Sequence, residues 1–217
     1  MPFKFSTQEL EKLKEITLFY IRVKALLLMA EEVDKDRKTN PQILLELRNA
    51  FDHLMRVFIG KFELKEKNDP EYPDKVMEKF FGHLYRAGYD ILDWLSINLR
   101  DQIAHHMNHY SHEAINAVFP EYYREYRPRL EKISQEIARI RSRKDVDNES
   151  NKFKTFDEYE KEYNELSEIY QEKVLPILPS LQDYHKRNRR SKIWTIVVFP
   201  GLCTIVGIIV TIFVAPC

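Results

Sequence analysis

Helix-starting signals recur along this chain at wide intervals, and only five glycines in 217 residues interrupt what lies between them. Ser6 with Glu9 is a capping-box pattern, a hydroxyl and a carboxylate each positioned to satisfy a free backbone N–H, ahead of the run LEKLKEITLFYIRVKALLLMAEEV. A first helix is expected over about 7–36. Asn40 before Pro41 marks a second start, because proline has no N–H to lose in a first turn, and that helix continues to about 64. KEKNDPEYPD, at 65–74, reads as a loop.

A third helix runs over about 74–109, with Val76, Phe80, Leu84, Ile91, Leu95, Leu99 and Ile103 near one side. Ser111 can cap the next element, and Pro120 and Pro128 segment it before a helix that reaches about 144. After the polar linker DVDNESNK, Thr155 with Glu158 forms a second capping-box pattern. The last helix meets Pro176 and Pro179, which bend it or break it in two. The expected fold is all-α, an up-and-down bundle of four to five helices.

The final twenty-five residues, IWTIVVFPGLCTIVGIIVTIFVAPC, carry no charge. A helix of roughly 20 apolar residues crosses a bilayer core, so one C-terminal transmembrane helix is expected over 193–215. The five positive charges of KRNRRSK, at 186–192, form a basic juxtamembrane segment and place residues 1–185 in the cytosol as a tail-anchored bundle. The expected localisation is a single-pass membrane protein, with the membrane itself as a partner. Pro200, Gly201 and Gly207 lie in that segment, and an oligomeric pore is one use of them.

Net charge is zero, yet residues 1–185 carry about −5 once the basic segment is set aside. Duplex binding through many phosphates calls for a dominant basic face, so any nucleic-acid role must be local. Cys203 and Cys217, the two cysteines, both lie in the apolar segment, which excludes a disulfide framework and a cysteine zinc site. The N-terminus lacks the pattern of a secretory signal.

Chemistry concentrates in LRDQIAHHMNHYSHE, 99–113, which holds four of the seven histidines. Imidazole titrates near neutrality, and guanidinium stays charged and matches phosphate geometry. Arg100, Asp101 and His105 are the candidate catalytic residues. Arg48, Asn49 and His53 repeat the spacing; a purely structural use has Arg48 and His53 holding the second helix to its neighbours through buried hydrogen bonds. On a regular helix a five-residue step turns about 140° past a full turn, so each Arg and His pair must act across a distorted turn or between chains.

His105, His109 and His112 form the alternative, a metal site, since offsets of four and seven share a helix face; a break at Ser111 would swing His112 away. Arg124, Tyr126 and Arg127, in an aromatic and basic stretch, are candidate RNA contacts.

The Arg, polar residue, three positions, His pattern at RDQIAH and RNAFDH resembles that of the HEPN superfamily of small helical-bundle proteins. The resemblance covers at most residues 40–140. It implies metal-independent RNA cleavage without a cofactor, His105 acting as acid or base on the 2′-hydroxyl, Arg100 holding the scissile phosphate and Asp101 orienting both. It also implies a homo-oligomer, and service as an effector or accessory protein in toxin-type or antiviral, CRISPR-type defence beside another effector protein. The alternative is a non-enzymatic, membrane-anchored helical scaffold or oligomeric pore.

Overall fold

The computed structural model describes residues 5–33, 40–64, 72–143 and 149–193. Every element among the described residues is helical. These are α1 (Thr7–Val33), α2 (Pro41–Lys61), α3 (Tyr72–Asn108), α4 (His112–Val118), α5 (Arg127–Arg143), α6 (Glu149–Glu168) and α7 (Leu178–Ile193). A π-helical turn, Tyr122–Tyr126, leads into α5; a second, Ile169–Val174, and a 3₁₀ turn at Leu175–Ile177 join α6 to α7.

The ends follow from short side chains and prolines. Ser6 and Glu9 exchange hydrogen bonds of 2.7 and 3.2 Å at the start of α1. The Asn40 oxygen accepts from the Gln42 N–H at 2.9 Å, and the Ser111 hydroxyl accepts from Ala114 N–H at 3.3 Å. Pro120 lies beyond α4, Pro128 sits in the first turn of α5, and Pro176 falls in the 3₁₀ turn before α7. Thr155 differs from expectation. Helix α6 begins six residues earlier, at Glu149, so Thr155 is interior and its hydroxyl donates to the Asn151 carbonyl at 3.0 Å.

The helices divide into two compact units, and the division falls inside α3, α5 and α6. Unit one takes the described residues of Met1–Arg100 and Gln135–Leu166; unit two takes those of Asp101–Ser134 and Ser167–Cys217. The segment 1–185, expected as one bundle, is thus shared between them.

Aromatic packing dominates unit one. Phe19 of α1 meets Phe81 of α3 and Phe153 and Phe156 of α6 at centroid distances of 4.8–5.5 Å. Each such ring, fully buried, contributes about 1.5–3 kcal/mol. Arg22 joins α1 to α6 through Asp157 at 2.6 Å and Glu160 at 2.5 Å. Tyr159 of α6 donates to Asp93 of α3 at 2.6 Å, and burial, followed by that bond, pushes its pKa far up. In unit two, Met107, Ile115, Phe119, Tyr122 and Leu181 are buried.

The expectation of a transmembrane helix over 193–215, and of single-pass membrane localisation, is corrected here. Among the described residues no helix is long and apolar enough to cross a membrane. The last of them, α7, carries Asp183, Lys186, Arg187, Arg189 and Arg190 and ends at Ile193, and a charge costs several kcal/mol in hydrocarbon. Residues 194–217, with Pro200, Gly201, Gly207 and both cysteines, lie outside the described residues.

Candidate functional site

The last two turns of α3 carry His105 and His106, and the turn that follows the helix carries His109 and Tyr110. In the same unit α7 carries Gln182, His185 and Lys186 at offsets of zero, three and four, one side of a helix. Buried Leu181 anchors that stretch of α7. These seven side chains line an open cavity of about 450 Å³. Tyr110 is buried beneath it, whereas His105, His109, His185 and Lys186 are exposed.

An imidazole from the turn after α3 and one from α7 come together here. The ring centroids of His109 and His185 are 6.2 Å apart, and the Tyr110 ring lies 5.1 Å from His109 and 6.1 Å from His185. His106 is half-buried and stacks on Tyr170, whose hydroxyl lies 3.4 Å from His106 Nε2. Burial pushes the Tyr170 pKa up. Burial, then the neighbouring charge of His105, holds the His106 pKa below the usual histidine range. The groove therefore offers a half-buried imidazole, three exposed ones and an ammonium group.

The sequence candidates separate. His105 lines the groove. Arg100, half-exposed, ends the first segment of unit one, and Asp101, exposed, is the first residue of unit two. Helix α3 is regular α-helix through all three, so no distortion brings Arg100 and His105 onto one narrow face. In the second motif Arg48 is exposed and donates to Asn49 Oδ1 at 3.1 Å, which corrects the expectation of a buried hydrogen bond from Arg48. His53 contacts α3 by stacking on His83, centroids 5.1 Å apart, while its own buried Nδ1 finds no hydrogen-bond partner. His83 in turn contacts Glu46 at 2.7 Å.

His112 does not join His105 and His109. It opens α4 beyond the Ser111 cap and stacks on Tyr123 at 4.9 Å. Among the described residues no group of three or more His, Cys, Asp or Glu is placed to hold a metal ion. Of the RNA-contact candidates, Arg124 and Arg127 are at the surface, Arg127 bonding Glu131 at 3.3 Å. Tyr126 packs against Phe119 with centroids 5.2 Å apart.

His185 and His106 are the residues that sequence reasoning passed over. His185 lies 76 positions from His109, and no local spacing signals their approach; the Gln182, His185 and Lys186 face of α7 is the one trace of it. Comparison with protein-family models, with curated proteins and with solved structures finds no significant match for this chain.

Proposed function

We propose that the groove of unit two binds an RNA phosphodiester and cleaves it by metal-independent acid–base chemistry. The observation that carries this is the approach of His109, in the turn after α3, and His185, on α7, 6.2 Å apart, with Lys186 beside His185 at the same cavity. Hydrogen bonds of about 2.8 Å from each ring reach the oxygens of one phosphate from opposite sides. One imidazole takes the proton of the 2′-hydroxyl as its oxygen attacks phosphorus. The other protonates the departing 5′-oxygen, leaving a 2′,3′-cyclic phosphate and a 5′-hydroxyl. The Lys186 ammonium group holds the non-bridging oxygens as charge develops on them.

His105 keeps the acid–base part implied by its motif, as a third exposed imidazole on the same groove. A defence-type effector role for such an activity rests on the family resemblance alone. The non-enzymatic scaffold reading draws on a different observation, the exposed apolar side chains of α1 and α2.

The test is cleavage of single-stranded RNA by the purified full chain in the presence of EDTA. Products ending in 2′,3′-cyclic phosphate are expected, and His109→Ala or His185→Ala lowers the rate about 10²–10⁴-fold. Arg100→Ala, assayed beside them, tells whether the motif arginine takes part. Absence of cleavage, or equal rates in the wild type and the double histidine variant, rejects the proposal in favour of the scaffold.

A further inference from the structure

Helix α1 turns Phe19, Val23, Leu26 and Ala30 into the core of unit one and still leaves large apolar side chains outside. Leu18, Ile21 and Leu28 are 56, 58 and 53% exposed, and Ala25 between them is exposed as well. Their spacings of three, four and three are the a/d pattern of a helix–helix seam. Charges close the seam at both ends: exposed Lys14 lies four residues before Leu18, and exposed Glu32 four residues after Leu28. Helix α2 also exposes Leu44, Phe51 and Met55, but exposed Arg48 falls in line with them and interrupts that row.

We propose that a second copy of this chain covers the α1 seam, the two α1 helices packing antiparallel about a two-fold axis at Val23. The pattern is self-complementary about that position. Leu18 meets Leu28 of the second copy, Ile21 meets the small Ala25, and Lys14 meets Glu32, each contact occurring twice. An isologous interface requires this of one helix, whereas an unrelated partner does not. Large opposite small at the centre lets the helices approach closely.

Lys24, exposed beside the axis, faces its counterpart, and its long stem lets the two ammonium groups part into solvent. With half-exposed Tyr20 and Met29 at the flanks, the two copies cover roughly 1,000 Å² of side chain, the size at which specific interfaces begin. This inference does not depend on the chemistry of the groove.

The experiment uses the full chain with Cys203→Ser and Cys217→Ser and a spin label at Lys24→Cys. Equilibrium sedimentation should give the mass of two copies. Dipolar spectroscopy should give one short inter-copy distance, consistent with helix axes about 8–10 Å apart. Ile21→Glu, at an exposed position, should give the mass of one copy with unchanged circular dichroism. Lys14→Glu should weaken association about tenfold, and adding Glu32→Lys should restore it. A single-copy mass for the parent chain overturns the proposal, as does a dimer untouched by Ile21→Glu, or a dimer without the short label distance. Failure of the double charge reversal to restore association overturns the antiparallel register.

Discussion

Gly88 lies on α3 against Val23 of α1 and Phe156 of α6. A Cβ there would stand 2.7 Å from the Phe156 ring and 3.1 Å from Val23 Cγ2, distances that rigid core groups cannot open without moving helices. Gly82, six residues earlier on the same helix, would meet only the flexible end of Arg86, at 3.7 Å. The two alanine substitutions should therefore differ in sign. Gly88→Ala is expected to destabilise by about 1–2 kcal/mol, because overpacking of about 1–3 kcal/mol outweighs the gain in helix propensity. Gly82→Ala should stabilise by about 0.5–1 kcal/mol. Urea midpoints of the two variants decide it. Nothing in the letters around either glycine separates them, since the difference lies in Phe156, which arrives from 68 positions away.

Helix starts obey local rules, with one instructive exception. Ser6, Asn40 and Ser111 cap as their spacings imply, because a cap needs only a side-chain oxygen and a backbone N–H two or three residues on. The capping box of α1 also has tertiary use, since the Glu9 carboxylate receives Lys61 of α2 at 2.5 Å. Burial works against ionisation of Glu9, but the bonds from Lys61 and Ser6 outweigh it and hold its carboxyl below the usual range. Ser6→Ala should cost about 1 kcal/mol, read from thermal unfolding; a loss near zero would show that Lys61 alone positions Glu9. Thr155 with Glu158 has the same spacing and does not cap. Phe156 and Tyr159 are fully buried, and continuing the helix back to Glu149 keeps their stretch of α6 helical.

Both units carry groups that bind protons less readily when folded. In unit one, burial and then His83 and Arg56 hold the His53 pKa below the usual histidine range. Burial opposes ionisation of Glu46, yet hydrogen bonds from His83 and Arg86 outweigh it and keep that carboxyl below its ordinary range. In unit two, His106 is depressed in the same direction as His53. A lowered pKa means that the unfolded chain binds more protons, so the stabilisation is complete above the ordinary pKa and is lost as the pH falls.

Stability in urea should accordingly fall in two steps on acidification. The first begins near the ordinary histidine pKa, about 6.5, and the second near that of glutamate, about 4.3. His53→Gln with His106→Gln should remove the first step and leave the second. Constant stability between pH 7.5 and 5.5 in the wild type would exclude the first.

The helical class, the capping residues, the proline breaks and the concentration of histidines near residue 105 are legible along the chain, because each rests on contacts within a few residues. His105 was legible too, as a candidate, through its spacing from Arg100. The histidine groove was not: His185 joins His109 only when α7 lies beside the turn after α3, an approach that tertiary packing makes and neighbours in sequence do not. Helical geometry likewise left Arg100 and His105 about 140° apart, and a regular α3 kept them so. Local hydrogen bonding and periodicity are written in the order of residues; which distant side chains meet follows from the packing of whole helix faces, which no short stretch encodes.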